Sequence, residues 1–295
     1  MTLSPPLDIP LQRSFSTSKK PLSFSVFIGL LCSALLLLST QVNAAPSKKL
    51  DPGWTPYSLE KIRSLDHTPW QTFLDHYLII DDTKQSYLTY NKVSSEQSLA
   101  LVSYIDYLTN LAPKELTKPQ QMAYWINLYN AKTVALILEN YPLESITKLG
   151  ESWFKFGPWD DKILKVEGIK LSLNDIEHRI LRPIFEQSNL HYALNCASLS
   201  CPNLGATAYT SENAQILLTE SARNYINHSR GVHFNDEGEL VLSSIYKWYK
   251  DDFGATYRDL ITHLFGYANK ELGEKLRAYK GPINYEYDWG LNEIN

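Results

Sequence analysis

Thr117-Lys-Pro-Gln-Gln-Met-Ala-Tyr-Trp-Ile-Asn-Leu-Tyr-Asn-Ala-Lys-Thr-Val-Ala-Leu-Ile-Leu-Glu-Asn140 decides how this chain folds. Thr117 and Gln120 have the spacing of a capping box, and Pro119 stands in the first turn, where its missing N–H costs nothing. Asn140-Tyr-Pro142 ends the run. Met122, Trp125, Ile126, Leu128, Tyr129, Val134, Ile137 and Leu138, with the alanines between them, go nearly all the way round. A helix apolar on every side belongs in the middle of a domain. Asn127 and Asn130 interrupt it, three apart and therefore neighbours on its surface. A buried Asn without partners costs about 1–3 kcal/mol. Both must therefore hydrogen-bond, either to loop backbone, the plainer expectation, or to a catalytic group or a substrate.

Working outward, Tyr57 to Tyr77 has near-helical apolar spacing. Ser94 to Leu111 reads as a helix capped by Ser94 or Ser95, with Leu99, Val102, Tyr104, Ile105 and Leu108 as its core face. Ile163 to Leu171 alternates about a turn at Glu167-Gly168, which predicts a hairpin after a loop from Trp153. Ser172 and Asp175 cap a helix to about Leu181, with Pro183 near its end. On it Glu177 shares a face with Leu173, Ile180 and Leu181, and His178 sits beside it. A carboxylate on an apolar stripe needs a partner.

Tyr192 to Leu194 reads as a short buried strand. Ser211 to Asn227 is a helix capped by Ser211. Val232–Phe234 and Leu240–Leu242 form a hairpin. Helices over 245–253, 257–267 and 270–279 follow, and Ile283 to Asp288 alternates like a closing strand. Regular βαβ units are absent from this order. The expected fold is α+β: a single globular domain, its central buried helix packed on a small mixed or antiparallel sheet with several helices around it.

The chemistry-bearing stretch is His191-Tyr-Ala-Leu-Asn-Cys-Ala-Ser-Leu-Ser-Cys-Pro202. It concentrates two thiols, two serines and a histidine in twelve residues. A cysteine nucleophile needs a base, usually His, and a group that orients the base. Cys196 or Cys201, His178 or His191, and Glu177 supply those types, with Asn127, Asn130, Asn195, Ser200 and Trp125 as binding or supporting residues. Asn195 and Ser200 offer oxyanion-type donors. His191 is five residues from Cys196, about 16 Å if that run is extended, so His178 is the better candidate base.

The N-terminus predicts export. Arg13, Lys19 and Lys20 precede an apolar run from Phe24 to Leu38, and Val42-Asn43-Ala44 suits cleavage after Ala44. Residues 1–44 are then a signal peptide, 45–56 a mobile linker and 57–114 an N-terminal helical segment. The expected location is periplasmic or secreted, with no membrane contact after cleavage. Export favours a Cys196–Cys201 disulfide, which would compete with any catalytic use of either sulfur. Removing Arg13, Lys19, Lys20 and Asp8 from 28 basic and 32 acidic residues leaves 25 and 31, a net charge of −6. That balance argues against a nucleic-acid partner. No cofactor is expected. Two cysteines and a histidine are a poor zinc set without a second cysteine pair.

Five stretches, in order, carry a family resemblance: Tyr124-Trp-Ile-Asn-Leu-Tyr-Asn130, Leu173-Asn-Asp-Ile-Glu-His178, the 191–202 segment, Lys247-Trp-Tyr-Lys-Asp-Asp-Phe253 and Tyr287-Asp-Trp-Gly-Leu-Asn292. Together they resemble the domain of unknown function 547, from about residue 115 to 292, packed with the N-terminal segment as one unit. The resemblance implies membership of a family that includes exported bacterial proteins, and it assigns no activity. The residues themselves favour a binding or structural module with a disulfide-pinned loop, which takes a small molecule or a peptide. The rival is a cysteine-dependent hydrolase or transferase.

Overall fold

A computed structural model describes residues 46–60, 63–150, 156–254 and 256–294. Residues 1–44, read above as a signal peptide, and Trp153 lie outside the described residues. The elements, in order, are α1 (Thr68–Tyr77), β1 (Leu78–Ile80), β2 (Ser86–Leu88), α2 (Ser95–Thr109), α3 (Lys118–Glu139), β3 (Leu164–Val166) and β4 (Ile169–Leu171). A π-helix (Asp175–Leu181) then runs directly into α4 (Arg182–Phe185). There follow α5 (Ala214–Ile226), β5 (Val232–Phe234), β6 (Leu240–Ser243), α6 (Ile245–Trp248), α7 (Lys250–Phe253), α8 (Tyr257–Tyr267), α9 (Lys270–Ala278) and β7 (Ile283–Glu286).

The central helix is α3. The Thr117–Gln120 capping box forms as the spacing predicts, and nearly every side chain from Gln120 to Ile137 is buried. It is the spine of one apolar cluster, packed with Trp54, Trp70, Phe73, Leu108, Ile176 and Ile180 among others. A second cluster joins α5, the α6–α9 helices and a three-stranded sheet, through Tyr225, Leu240, Leu242, Tyr246, Phe253 and Leu264. In that sheet β5 pairs antiparallel with β6, and β6 pairs parallel with β7. The α+β class therefore stands, and Ala44–Asn295 forms one compact unit. The central helix packs mainly on α2, α5 and the π-helix rather than on the sheet.

Several local expectations are corrected. Residues 57–60 and 63–67 are not helical, and the entry helix starts at Thr68, with Pro69 in its first turn. Leu99 is 67% exposed, because Leu101, Tyr104, Ile105 and Leu108 form the stripe of α2 that faces inward. Thr210, not Ser211, caps the turn into α5, its Oγ accepting from the N–H of Asn213 at 3.2 Å. Tyr192–Leu194 is no strand. It is the end of a 3₁₀-helix (Ser188–Tyr192) and the turn after it. The run is buried as expected, yet a short apolar run does not reveal its own conformation.

Pro183 does not end its helix. The helix widens to a π-turn before it, so the Arg182 N–H reaches the Glu177 carbonyl. That step and the missing N–H of Pro183 leave the His178 and Arg179 carbonyls without helical donors. Both are capped from outside: the Lys49 N–H donates to the His178 carbonyl at 3.0 Å, and the Asp51 N–H to the Arg179 carbonyl at 3.1 Å. Residues 46–51 are thus a docked strap and not the mobile linker expected. Their backbone satisfies groups that the π-helix would otherwise strand.

Candidate functional site

The 193–202 loop lies against both apolar clusters and is framed by asparagines. On α3, the Asn130 side chain accepts from the Asn195 N–H at 2.9 Å and donates to the Ala193 carbonyl at 2.8 Å. Asn195 accepts from the Ala197 N–H at 2.9 Å and donates to the Pro202 carbonyl at 2.7 Å, so one side chain spans the loop. Asn127 grips another stretch in the same bidentate way, at Tyr209. The plainer expectation for both helix asparagines holds: they satisfy loop backbone. Trp125 is wholly buried, edge-on to Trp54 and Tyr124, and faces no opening.

From the other side comes the C-terminal segment. The Leu199 N–H donates to the Gly290 carbonyl at 2.7 Å, and the Asn292 N–H to the Ala197 carbonyl at 3.2 Å. Ser200 accepts from the Asp288 N–H at 2.7 Å. Ala197 is held at φ 58°, a left-handed conformation that costs an alanine about 1–2 kcal/mol. Strain of this kind persists only where the surroundings over-determine the backbone.

The two sulfurs are 2.8 Å apart. A disulfide needs about 2.05 Å, so at this separation the structure has two free cysteines and not the expected Cys196–Cys201 bond. Cys196 is half-buried and Cys201 is 3% exposed. Cys196 Sγ also lies 3.1 Å from the Tyr287 hydroxyl and 3.3 Å from the Ser198 hydroxyl, which are themselves 2.9 Å apart. Burial opposes a thiolate at Cys196. Hydrogen bonds shared with Cys201, Ser198 and Tyr287 outweigh it and bring its pKa below the ordinary thiol value. Cys201 moves the opposite way: burial and the neighbouring Cys196 raise it well above that value.

His178, His191 and Glu177 do come together, but around each other and not around sulfur. His191 Nε2 is 2.8 Å from Asp252 Oδ2, and its Nδ1 stands 3.6 Å from Glu177 Oε1. Its ring stacks on Tyr249 at 4.1 Å. Arg182 donates from Nε to Asp252 at 2.6 Å and from Nη1 to His178 Nδ1 at 2.9 Å. Burial pushes Glu177 up, but His178, His191 and Arg182 outweigh it and hold its carboxyl at about 2. Burial, with Arg182 and His191, lowers His178. Neither histidine shares a hydrogen bond with either sulfur among the described residues. The Tyr129 hydroxyl donates to Glu177 at 3.4 Å.

Tyr287 belongs to a partly exposed aromatic wall. Its ring packs on Trp248 at 4.7 Å and on Trp289 at 4.5 Å, and Trp289 meets Trp159 at 5.5 Å. A cleft of about 500 Å³ opens beside Leu199 and Ser200, with Arg230, His228 and Asp288 among its walls. No group of three His, Cys, Asp or Glu side chains suited to a metal exists among the described residues. No described helix is long and apolar enough to cross a membrane.

The model of one family, described as a protein of unknown function, DUF547, matches residues 113–226. Over those residues the chain belongs to the DUF547 family. No curated protein and no solved structure matches the chain. The DUF547 segment contains α3, the π-helix and the whole cysteine loop. It stops short of Asp252 and Tyr287, so the matched residues hold both sulfurs but not all of their surroundings. Those two residues, with Arg182, Tyr249 and Ser198, are the site members that sequence reasoning did not single out. All but Arg182 do lie inside the motif stretches quoted above, which was the available signal.

Proposed function

We propose that the domain is a thiol-dependent enzyme, a hydrolase or transferase, with Cys196 as its nucleophile. One observation carries this reading: a half-buried Cys196 Sγ meets Cys201, Ser198 and Tyr287 at 2.8, 3.3 and 3.1 Å. The thiolate is the nucleophilic form, and hydrogen bonds that favour it replace the need for an adjacent base. Asn130 and Asn195 position the loop, and the Glu177–His191–Asp252–Arg182 network fixes the ground beneath it. Export belongs to the same proposal, supported by the charged, apolar and small-residue order of residues 13–44; an intact mass beginning at Ala45 tests it.

Alkylation tests the nucleophile. The protein is treated with iodoacetamide across a pH series, and each cysteine is followed by peptide mass spectrometry. Cys196 is expected to react near neutral pH while Cys201 stays protected. If both sulfurs react only above about pH 8.5, the free-thiol value, Cys196 is not an activated nucleophile. The reading of the domain as a binding module then takes over, since the asparagine-clamped loop already supports it.

A further inference from the structure

We infer that Cys196 and Cys201 act in turn on a disulfide substrate, Cys196 as the attacking sulfur and Cys201 as the sulfur that resolves the intermediate. The inference rests on Cys196 as nucleophile and gives it a disulfide substrate, which makes the reaction a thiol–disulfide exchange in place of hydrolysis or group transfer. Among the described residues no histidine hydrogen-bonds to either sulfur. What stands within reach of Cys196 Sγ is a second thiol at 2.8 Å. A second sulfur so placed adds one capacity that a lone cysteine lacks, which is to displace whatever the first has bound.

Exposure assigns the order. Cys196 is half-buried, and Cys201 is 3% exposed beneath it. Cys196 is the more exposed of the two, which makes it the sulfur placed to meet an incoming disulfide, with Cys201 behind it. Acidity follows the same order, with Cys196 lowered and Cys201 raised. The neighbouring Cys196 is one cause of the Cys201 shift, so that contribution ends once Cys196 is bound covalently.

The loop does not depend on a bond between the sulfurs. Asn195 ties the Ala197 N–H to the Pro202 carbonyl, Asn130 holds Asn195 and Ala193, and Tyr225 donates to the Ser200 carbonyl at 2.6 Å. The Cys201 N–H closes the turn onto the Ser198 carbonyl at 3.1 Å. With the backbone fixed by other groups, the pair can open and close without refolding the loop. A static structural disulfide would duplicate that scaffold.

The Cys196 thiolate attacks one sulfur of the substrate disulfide, forming a mixed disulfide and expelling the other substrate sulfur as a thiolate. Cys201, losing its proton to that leaving group or to water, attacks Cys196 Sγ. The substrate's second sulfur departs, and the Cys196–Cys201 disulfide remains. Two electrons pass from the cysteine pair to the substrate, and the two thiol protons pass to its released sulfurs or, where these stay thiolates, to water. An external dithiol restores the starting state.

The test uses an aryl disulfide, 5,5′-dithiobis(2-nitrobenzoic acid), whose released thiolate is coloured, and then oxidised glutathione. The wild-type chain is expected to release two coloured thiolates, carry no adduct and lose two hydrogens in mass. Cys201→Ser and Cys201→Ala should each release one thiolate and keep one adduct on Cys196. Cys196→Ser should react roughly tenfold more slowly or not at all, because its remaining thiol is buried and less ionised. A wild-type chain that keeps an adduct on Cys196 overturns the resolving role and leaves the nucleophile intact. If Cys196 reacts with neither iodoacetamide nor the disulfide, both readings fall. Circular dichroism of each variant separates lost chemistry from lost fold.

Discussion

Replacing Tyr287 with Phe removes one hydroxyl from beside Cys196 Sγ and leaves the ring against Trp248 and Trp289. A hydrogen bond worth about 1 kcal/mol is lost from the thiolate. Alkylation of Cys196 at neutral pH should slow about fivefold, and its pH midpoint should move up. Glu177 makes a different prediction. Its carboxyl is held at about 2, below the ordinary 4.5. Between those values the unfolded chain binds the extra proton, so the pair's stabilisation is present above pH 4.5 and lost as pH falls through about 2. The full effect is on the order of 3 kcal/mol. Urea midpoints measured from pH 6 to 2 should fall steeply in the wild type and more shallowly in Glu177→Gln. The variant should also be weaker at pH 6, where it leaves His191 and Arg182 with one carboxylate fewer.

Among the elements, α3 and the strap carry separate consequences. Asn130→Ala leaves the Asn195 N–H and the Ala193 carbonyl without partners and should cost roughly 2–4 kcal/mol. It should also loosen the cysteine loop, so hydrogen exchange across 193–202 should rise more than elsewhere. A chain beginning at Pro52 loses the caps on the His178 and Arg179 carbonyls. It should lose at least about 2 kcal/mol in denaturant titration. The sequence announced α3 well, because a capping box and an all-round apolar pattern are local signals. It announced the asparagines as buried and partnered for the same reason. It hid the π-turn, since nothing near Pro183 says which outside backbone will cap the freed carbonyls. It also misled at Tyr192–Leu194, where apolar character set burial but not conformation.

At the scale of the molecule, the site is assembled from distant parts. Tyr287 is 91 residues from Cys196, and Asp252 is 61 from His191. Local patterning cannot express such pairings, so the sequence located the sulfur loop and missed the residues that tune it. The same distances predict that residues 113–226, expressed alone, will not reproduce the site. That piece lacks the β5–β7 sheet, most of the second apolar cluster, Asp252 and Tyr287. Its circular dichroism should show no cooperative melting, and Cys196 in it should alkylate with the pH dependence of a free thiol.

The placement of Tyr287 91 residues after Cys196 bears on biosynthesis. Polypeptides emerge from the ribosome N-terminus first, so both sulfurs are made while their hydroxyl partner and the Gly290–Asn292 clamp are still untranslated. A nascent chain therefore carries two untuned thiols through its most exposed stage. On the proposal above, their reactivity should appear only once residues 287–292 dock against the 196–200 turn.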